Sequence, residues 1–245
     1  MKTFKIKNKE ILEGLVNKGL EIKEISNTLN LSISCIATAL KRFNLNIPNP
    51  RISKSIPISN RQYEILAGTL LGDSSLISKS NKYGAYFSCS HCEKQFDYLE
   101  WKHKELESLH CSMYDYDNID LRYNKIYKQR KLRTLSSIEL FEIKKQLYID
   151  RIKIIPNYLL NFFSELSLAV MFMDDGTKLK NSILICTNCF TVDDLNLFNE
   201  FCYNKWNIKF NIHKNHTLYL PAIYYPKFKE IVLPHMHECM LYKLH

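Results

Sequence analysis

The chain has 245 residues and a formal net charge of +9, from 34 Lys and Arg against 25 Asp and Glu. Hydrophobic residues make up 46%, ample for a packed core, and no apolar run approaches the ~20 residues that a membrane span needs. The excess of cations suits an anionic partner such as nucleic acid and gives no reason to expect a membrane. Eight cysteines, with no secretory pattern in the opening MKTFKIKNKE, suit reduced thiols in a reducing compartment. The expected location is intracellular, in a phage or bacterial cytoplasm or an organelle matrix, without secretion.

Residues 8–43 carry the apolar period of three helices. Ile11, Leu12, Leu15 and Val16 give the first its inner face, Ile22, Ile25 and Leu29 the second, and Ile33, Ile36, Ala37 and Leu40 the third. Asn30 supplies a turn before the third helix and Ser32 its N-cap. The run EIKEISNTLNLSISCIATALKRFNL resembles a helix-turn-helix DNA-binding module. That resemblance implies a third helix in the major groove. Ser32, Ser34, Cys35 and Thr38 would then face base edges, with Lys41 and Arg42 on phosphates. The proline-containing stretch NIPNPRISKSIPI reads as a semi-rigid extended linker.

The remaining chain repeats itself. Ile56-Pro57 and Ile155-Pro156 each precede an apolar helix that ends in an acid. Each helix is followed by a segment with Cys-x-x-Cys, a helical stretch, basic and aromatic strands, and a closing helix near 138–148 or 226–232. Each half therefore reads αββαββα. The expected divisions are a helix-turn-helix module at 1–47, a linker at 48–57, a first half at 58–154 and a second half at 155–245.

The two repeated helices, LAGTLLGD at 66–73 and LAVMFMDDG at 168–176, hold the strongest signal. Acids are favoured near a helix N-terminus and opposed at the C-terminal end, yet both helices finish on acids. Gly176 marks the stop of the second. A bound cation would remove the conflict. Small residues let two helices cross closely; Gly68 and Gly72 supply them in the first motif and Ala169 in the second. A close crossing makes Asp73 and Asp175 neighbours, and two adjacent carboxylates repel unless protonated or bridged by metal. Alignment of the motifs sets Asp175 opposite Asp73 and Asp174 opposite Gly72.

These motifs resemble the two defining motifs of single-chain LAGLIDADG homing endonucleases, closest to the omega-type intron-encoded group, over residues 57–245. The resemblance implies an α+β fold: a pseudo-two-fold saddle of two αββαββα halves with the motif helices at their interface, here preceded by the small all-α unit. It implies that Asp73 and Asp175 are catalytic and hold metal, with the backbone carbonyls of Gly72 and Asp174 as further ligands. Magnesium suits such a site, with manganese as substitute. Lys153 and Lys243 match basic residues that flank the active centre in that group.

Strand alternation sends half of the side chains to one face, and a basic face suits a DNA groove. The first-half candidates are Arg122, Lys125, Lys128, Arg130, Lys131 and Arg133; those of the second are Lys209, Asn211, His213, Lys214, Asn215 and His216. Cys89, Cys92, Cys186 and Cys189 read as strand residues rather than as a zinc knuckle. The function expected is a site-specific, Mg-dependent double-strand DNA endonuclease. It would act as a monomer on a long asymmetric duplex, cutting across the minor groove to leave short 3′ overhangs. The alternatives are a maturase that binds its own intron RNA, and a catalytically silent DNA-binding regulator.

Overall fold

The computed structural model describes residues 9–18, 20, 22–45, 55–78 and 84–244. Contacts divide the chain into two compact units, residues 1–54 and 55–245. Most of the expected linker, residues 48–54, lies outside the described residues.

The first unit is three helices, α1 (Lys9–Asn17), α2 (Ile22–Leu29) and α3 (Ile33–Phe43). Asn30 takes a left-handed conformation at φ 51° in the turn between α2 and α3. Ser32 caps α3 by accepting from the Cys35 N–H at 3.3 Å. Leu12, Val16, Ile25, Ile36, Ala39 and Leu40 form the core. This corrects the expected inner faces: Ile11 and Ile33 are 53% and 48% exposed, and Ala37 is exposed while Ala39 is buried. The α3 stripe is turned toward Ile36, Ala39, Leu40 and Phe43, a 3-4-7 spacing that the sequence also contains.

Near the start of the second unit, just before Pro57, Ile56 is buried and its N–H donates to Glu139 at 2.9 Å. The order is then α4 (Asn60–Leu71), β1 (Ser75–Ile77), β2 (Tyr86–Cys92), α5 (Phe96–Glu105), β3 (Ser112–Asp120), β4 (Lys125–Arg133) and α6 (Ile138–Leu147). A short hairpin, β5 (Tyr148–Ile149) and β6 (Ile152–Lys153), leads to the one-turn α7 (Asn157–Leu160). The pattern then repeats as α8 (Glu165–Asp175), β7 (Gly176–Lys178), β8 (Ile183–Ile185), α9 (Val192–Trp206), β9 (Asn211–Ile212), β10 (Leu218–Leu220) and α10 (Tyr225–Val232). Each half has an antiparallel four-stranded sheet, ordered β1-β2-β4-β3 or β7-β8-β10-β9. The fold is thus two αββαββα halves within one shared core.

Two strands were expected after α5, both within the basic run that begins at Leu121; β3 lies before that run, at Ser112–Asp120. Its acids are poor strand formers, but its Tyr-Asp-Tyr-Asp alternation fits a pleat, and it pairs with β4 along its whole length.

Helices α4 and α8 form the central pair. Both start with capping boxes, Ser59 with Gln62 and Ser164 with Ser167. Ser167 also donates its hydroxyl to the Glu64 carbonyl of α4 at 2.7 Å. Gly68 sits at the crossing. A Cβ there would lie 2.3 Å from the Ser167 carbonyl oxygen and 2.8 Å from the Val170 Cβ. Gly176 ends α8 as expected, but by a different device. Its φ of −84° and ψ of 150° are extended, and it is glycine because a Cβ would lie 2.1 Å from the Phe172 ring.

The Gly68 approach gives a test by sign. Gly→Ala in an open helix interior stabilises by about 1 kcal/mol, whereas overpacking costs about 1–3 kcal/mol. Gly68→Ala is expected to lower the thermal midpoint. A variant as stable as the wild type would mean the helices can part without cost.

Candidate active site

Asp175 is the last residue of α8 and Asp73 lies two residues beyond α4. With Gly72 packed on Asp174, where an added Cβ would lie 2.8 Å from the Asp174 Cβ, the two helix ends meet. The Asp73 and Asp175 carboxyls lie close enough to shift each other's titration. Like charges this close cannot both ionise freely, which favours a single proton on the pair. Burial, and then the adjacent Asp73, push the Asp175 carboxyl from 3.8 up to about 8. Burial, and then Asp174, push Asp73 up too.

Each helix end also receives a lysine. Lys153 Nζ, on β6, donates to the Gly72 and Ser74 carbonyls at 3.3 and 3.1 Å. Lys243 Nζ donates to the Met173 and Asp174 carbonyls at 2.7 and 3.0 Å. Cations are favoured at a helix C-terminus, so the lysines relieve the conflict visible in the sequence. Burial holds both ammonium groups below the ordinary lysine range, against the opposing pull of the nearby acids.

Asp174, aligned with Gly72, does not face the pair. Its carboxylate is buried and accepts from Lys102 Nζ at 2.7 and 2.9 Å, Thr69 Oγ1 at 2.6 Å and Tyr98 OH at 2.9 Å. Burial alone would raise Asp174, but Lys102, His91 and Thr69 together outweigh it and hold the group below the ordinary carboxylate value. His91 Nε2 lies 3.3 Å from Lys102 Nζ; burial, then Lys102, lower His91 to about 4. Sequence reasoning missed Thr69, His91, Tyr98 and Lys102. The available signal was a lysine at an inner position of α5, on one stripe with Tyr98, Leu99 and Leu106.

The nucleic-acid candidates divide by register. Leu132 of β4 is fully buried, so Arg130 and Lys128 share its face. Arg130 bonds Asp115 and Glu100 and lies over the Phe96 ring. Lys125, Lys131 and Arg133 point to the other face with Gln129, beside Tyr116 and Tyr86. Arg122 is in the turn after β3, not on a strand, and is held by Asp120 at 2.8 Å. In the second half only Asn211 is within a strand. Lys209 precedes it, while His213 and Lys214 follow it, because β9 is two residues long. His213 stacks on Tyr219 with ring centroids 5.4 Å apart. Asn215 and His216 are used inside the turn, on Asn188 and Phe190. On α3, Ser32, Ser34, Thr38, Lys41 and Arg42 are exposed and Cys35 is partly so.

One cysteine placement is corrected. Cys89 is buried within β2, but Cys186 and Cys189 lie in a turn after β8. The chain leaves the ladder there because Thr187 donates its hydroxyl to the His216 carbonyl at 2.6 Å and its own carbonyl accepts from Phe190 N–H. Among the described residues, no three His, Cys, Asp or Glu side chains converge as a metal-holding group.

Residues 63–229 match the LAGLIDADG DNA endonuclease family. The chain belongs to that family. The probable intron-encoded endonuclease 1 of Wickerhamomyces canadensis is 30% identical over 226 residues, 80% of this chain and 91% of that protein. Cytochrome b mRNA maturase bI2 of Debaryomyces hansenii is 28% identical over 200 residues, 77% of this chain and 75% of that protein. The bI2 maturase of Saccharomyces cerevisiae is 29% identical, but this chain spans only 52% of its length. The solved structure of the homing endonuclease I-WcaI bound to its DNA recognition sequence has the same fold. Its TM-score is 0.69 at 22% identity, covering 78% of this chain and 88% of that one. No helix among the described residues is long and apolar enough to cross a membrane.

The raised carboxyls fix a pH dependence for metal-free protein. A carboxyl raised in the fold favours the protonated native state, so its contribution is full below 3.8 and is lost as pH rises toward about 8. The thermal midpoint of metal-free protein is expected to fall across that window from this pair. Asp175→Asn should flatten the dependence, and an unchanged profile in that variant would show that the acids do not interact.

Proposed function

We propose that this protein is a site-specific double-strand DNA endonuclease of the homing type. The observation that carries the reading is the Asp73–Asp175 pair at the ends of two crossing helices. Residues 58–154 and 155–245 are the two halves of one working unit. Both acids come from one chain, so a monomer suffices and the substrate is a long asymmetric duplex.

The donor set fits a hard divalent cation. Two carboxylates and the carbonyls of Gly72 and Asp174, each with a lone pair beyond its lysine bond, are all oxygen, which suits magnesium, with manganese as substitute. A divalent ion held there would supply the acidity to activate a water and would offset charge on the leaving oxygen. With the ion bound, Asp73 and Asp175 would both be ionised, their proton released to solvent, and would orient the attacking water. Lys153 and Lys243, desolvated and fixed, face the charge that builds on the phosphate. Cutting crosses the minor groove and leaves short 3′ overhangs.

The outer sheet faces supply recognition: Lys125 and Arg133 in the first half, Lys209, Asn211, His213 and Lys214 in the second. Arg122, exposed in the hairpin turn beside Asp120, and Lys128, exposed on β4, reach backbone phosphates. Arg130, already met by two carboxylates, is left out. The helix-turn-helix at 1–47 adds a second DNA-binding surface through Ser32, Ser34, Thr38, Lys41 and Arg42. A second reading, assistance to splicing by binding intron RNA, is favoured by the similarity to the Debaryomyces hansenii mRNA maturase.

Asp73→Asn and Asp175→Asn keep size and remove charge. Each is expected to abolish Mg²⁺-dependent cleavage of the cognate duplex while retaining binding. Wild-type cutting by both variants would reject the site, and tight binding of intron RNA without duplex cleavage would favour the maturase.

Removing residues 1–54 should leave the cleavage rate at saturating protein nearly unchanged, weaken affinity, and shorten the footprint at one end. The log–log salt slope should flatten by about 0.9 for each phosphate that the module neutralises. Identical footprints and slopes would mean that the module does not touch DNA.

A further inference from the structure

The buried cluster around Asp174 is not used by the chemistry above. Lys102 is fully buried, and its Nζ reaches both Asp174 oxygens, Thr69 Oγ1 and the His91 ring. Such a charge cluster is not required for stability, since well-packed apolar groups of the same volume often serve as well or better. In the second half, α9, which holds the same place in the αββαββα order as α5, turns Leu195, Phe198 and Cys202 into the core.

The connections of the cluster run to both acids. Asp174 is bonded in sequence to Asp175. Thr69 lies on α4, and its hydroxyl binds Asp174 at 2.6 Å. The carbonyl of the same Thr69 accepts three bonds from the turn that carries Asp73: Gly72 N–H at 3.1 Å, Ser74 N–H at 3.2 Å and Ser74 Oγ at 2.6 Å. One residue thus links the turn under Asp73 to the carboxylate beside Asp175. Gly72 is what admits this carboxylate, because any Cβ at that position would meet it.

We propose that Lys102 and Thr69 are positioning residues, which with Asp174 form a buried lock that sets the spacing of Asp73 and Asp175. Lys102 closes the lock by binding Asp174 and Thr69 together. The lock is single and off-centre: its side chains come from the first half, apart from Asp174. This explains why one motif ends Gly-Asp and the other Asp-Asp.

The inference rests on the Asp73–Asp175 reading, and its test separates the two. Three variants are compared with wild type: Thr69→Ser, which keeps the hydroxyl, Thr69→Val, which removes it at constant shape, and the double variant Lys102→Met with Asp174→Asn, which removes both buried charges. The readouts are thermal midpoint, duplex Kd, single-turnover cleavage at saturating protein, and Mn²⁺ affinity by electron paramagnetic resonance without DNA. Thr69→Val and the double variant are expected to keep Kd within two-fold and lose single-turnover rate by about 10- to 100-fold, the effect of a displacement near 1 Å. Their Mn²⁺ affinity should weaken in step, and Thr69→Ser should recover both. Wild-type cleavage and Mn²⁺ affinity in Thr69→Val and in a folded double variant would overturn the lock. Wild-type protein that neither cleaves nor binds Mn²⁺ differently from Asp73→Asn would instead overturn the acid pair itself.

Discussion

Everything at the centre of the second unit depends on how closely α4 and α8 approach. The approach is set by the missing side chain of Gly68, which lets the α8 backbone at Ser167 come within reach of α4. Ser167 turns that proximity into a bond by donating to the Glu64 carbonyl. From the crossing, the helices run to a common end where Gly72 again removes a Cβ, this time to admit Asp174. The acids are therefore brought together by two absent side chains. Dispersion and burial then hold the pair, with Leu66, Ala67, Leu70, Ala169, Val170 and Met173 all inside the core.

The helix ends concentrate charge at an unfavourable pole, and the fold answers with cations. Lys153 and Lys243 sit on equivalent carbonyls although one lies on a hairpin and the other near the end of the chain. Burial and the nearness of the two acids raise the Asp175 carboxyl to about 8. The third acid of the cluster is handled in the opposite manner. Asp174 is sealed from solvent and stays ionised because Lys102, Tyr98 and Thr69 supply its bonds. Two neighbouring aspartates on one helix thus have opposite environments and opposite titration shifts, decided only by the direction each side chain takes.

The duplication is not carried through to the sheets. Strands β3 and β4 run nine residues each, whereas β9 and β10 run two and three. The first-half sheet offers a long outer face in which Tyr114 and Tyr116 of β3 stand opposite Lys131 and Gln129 of β4, flanked by Lys125, Tyr127 and Arg133. The second offers a short face with Asn211, His213 and Tyr219. The two halves therefore present unequal surfaces.

The sequence by itself determined the three N-terminal helices, the repeated αββαββα order, the two motif helices and the pairing of Asp73 with Asp175. Those features rest on local periods, caps and small residues at a fixed spacing, all of which are written along the chain. The lysines at 153 and 243 were legible only through resemblance, since nothing local marks them. Tertiary structure decided the rest. Arg130 and Arg133 are three residues apart in one basic run, yet the pleat and the burial of Leu132 send them to opposite faces. Cys186 and Cys189 repeat the spacing of Cys89 and Cys92, but β8 ends earlier because Thr187 bonds to a later turn. The buried Lys102 could not be assigned a partner, because Asp174 and Thr69 reach it only after α4, α5 and α8 have packed. A charge on an inner helix stripe announces that a partner exists; which residue it is depends on packing between elements remote in the chain.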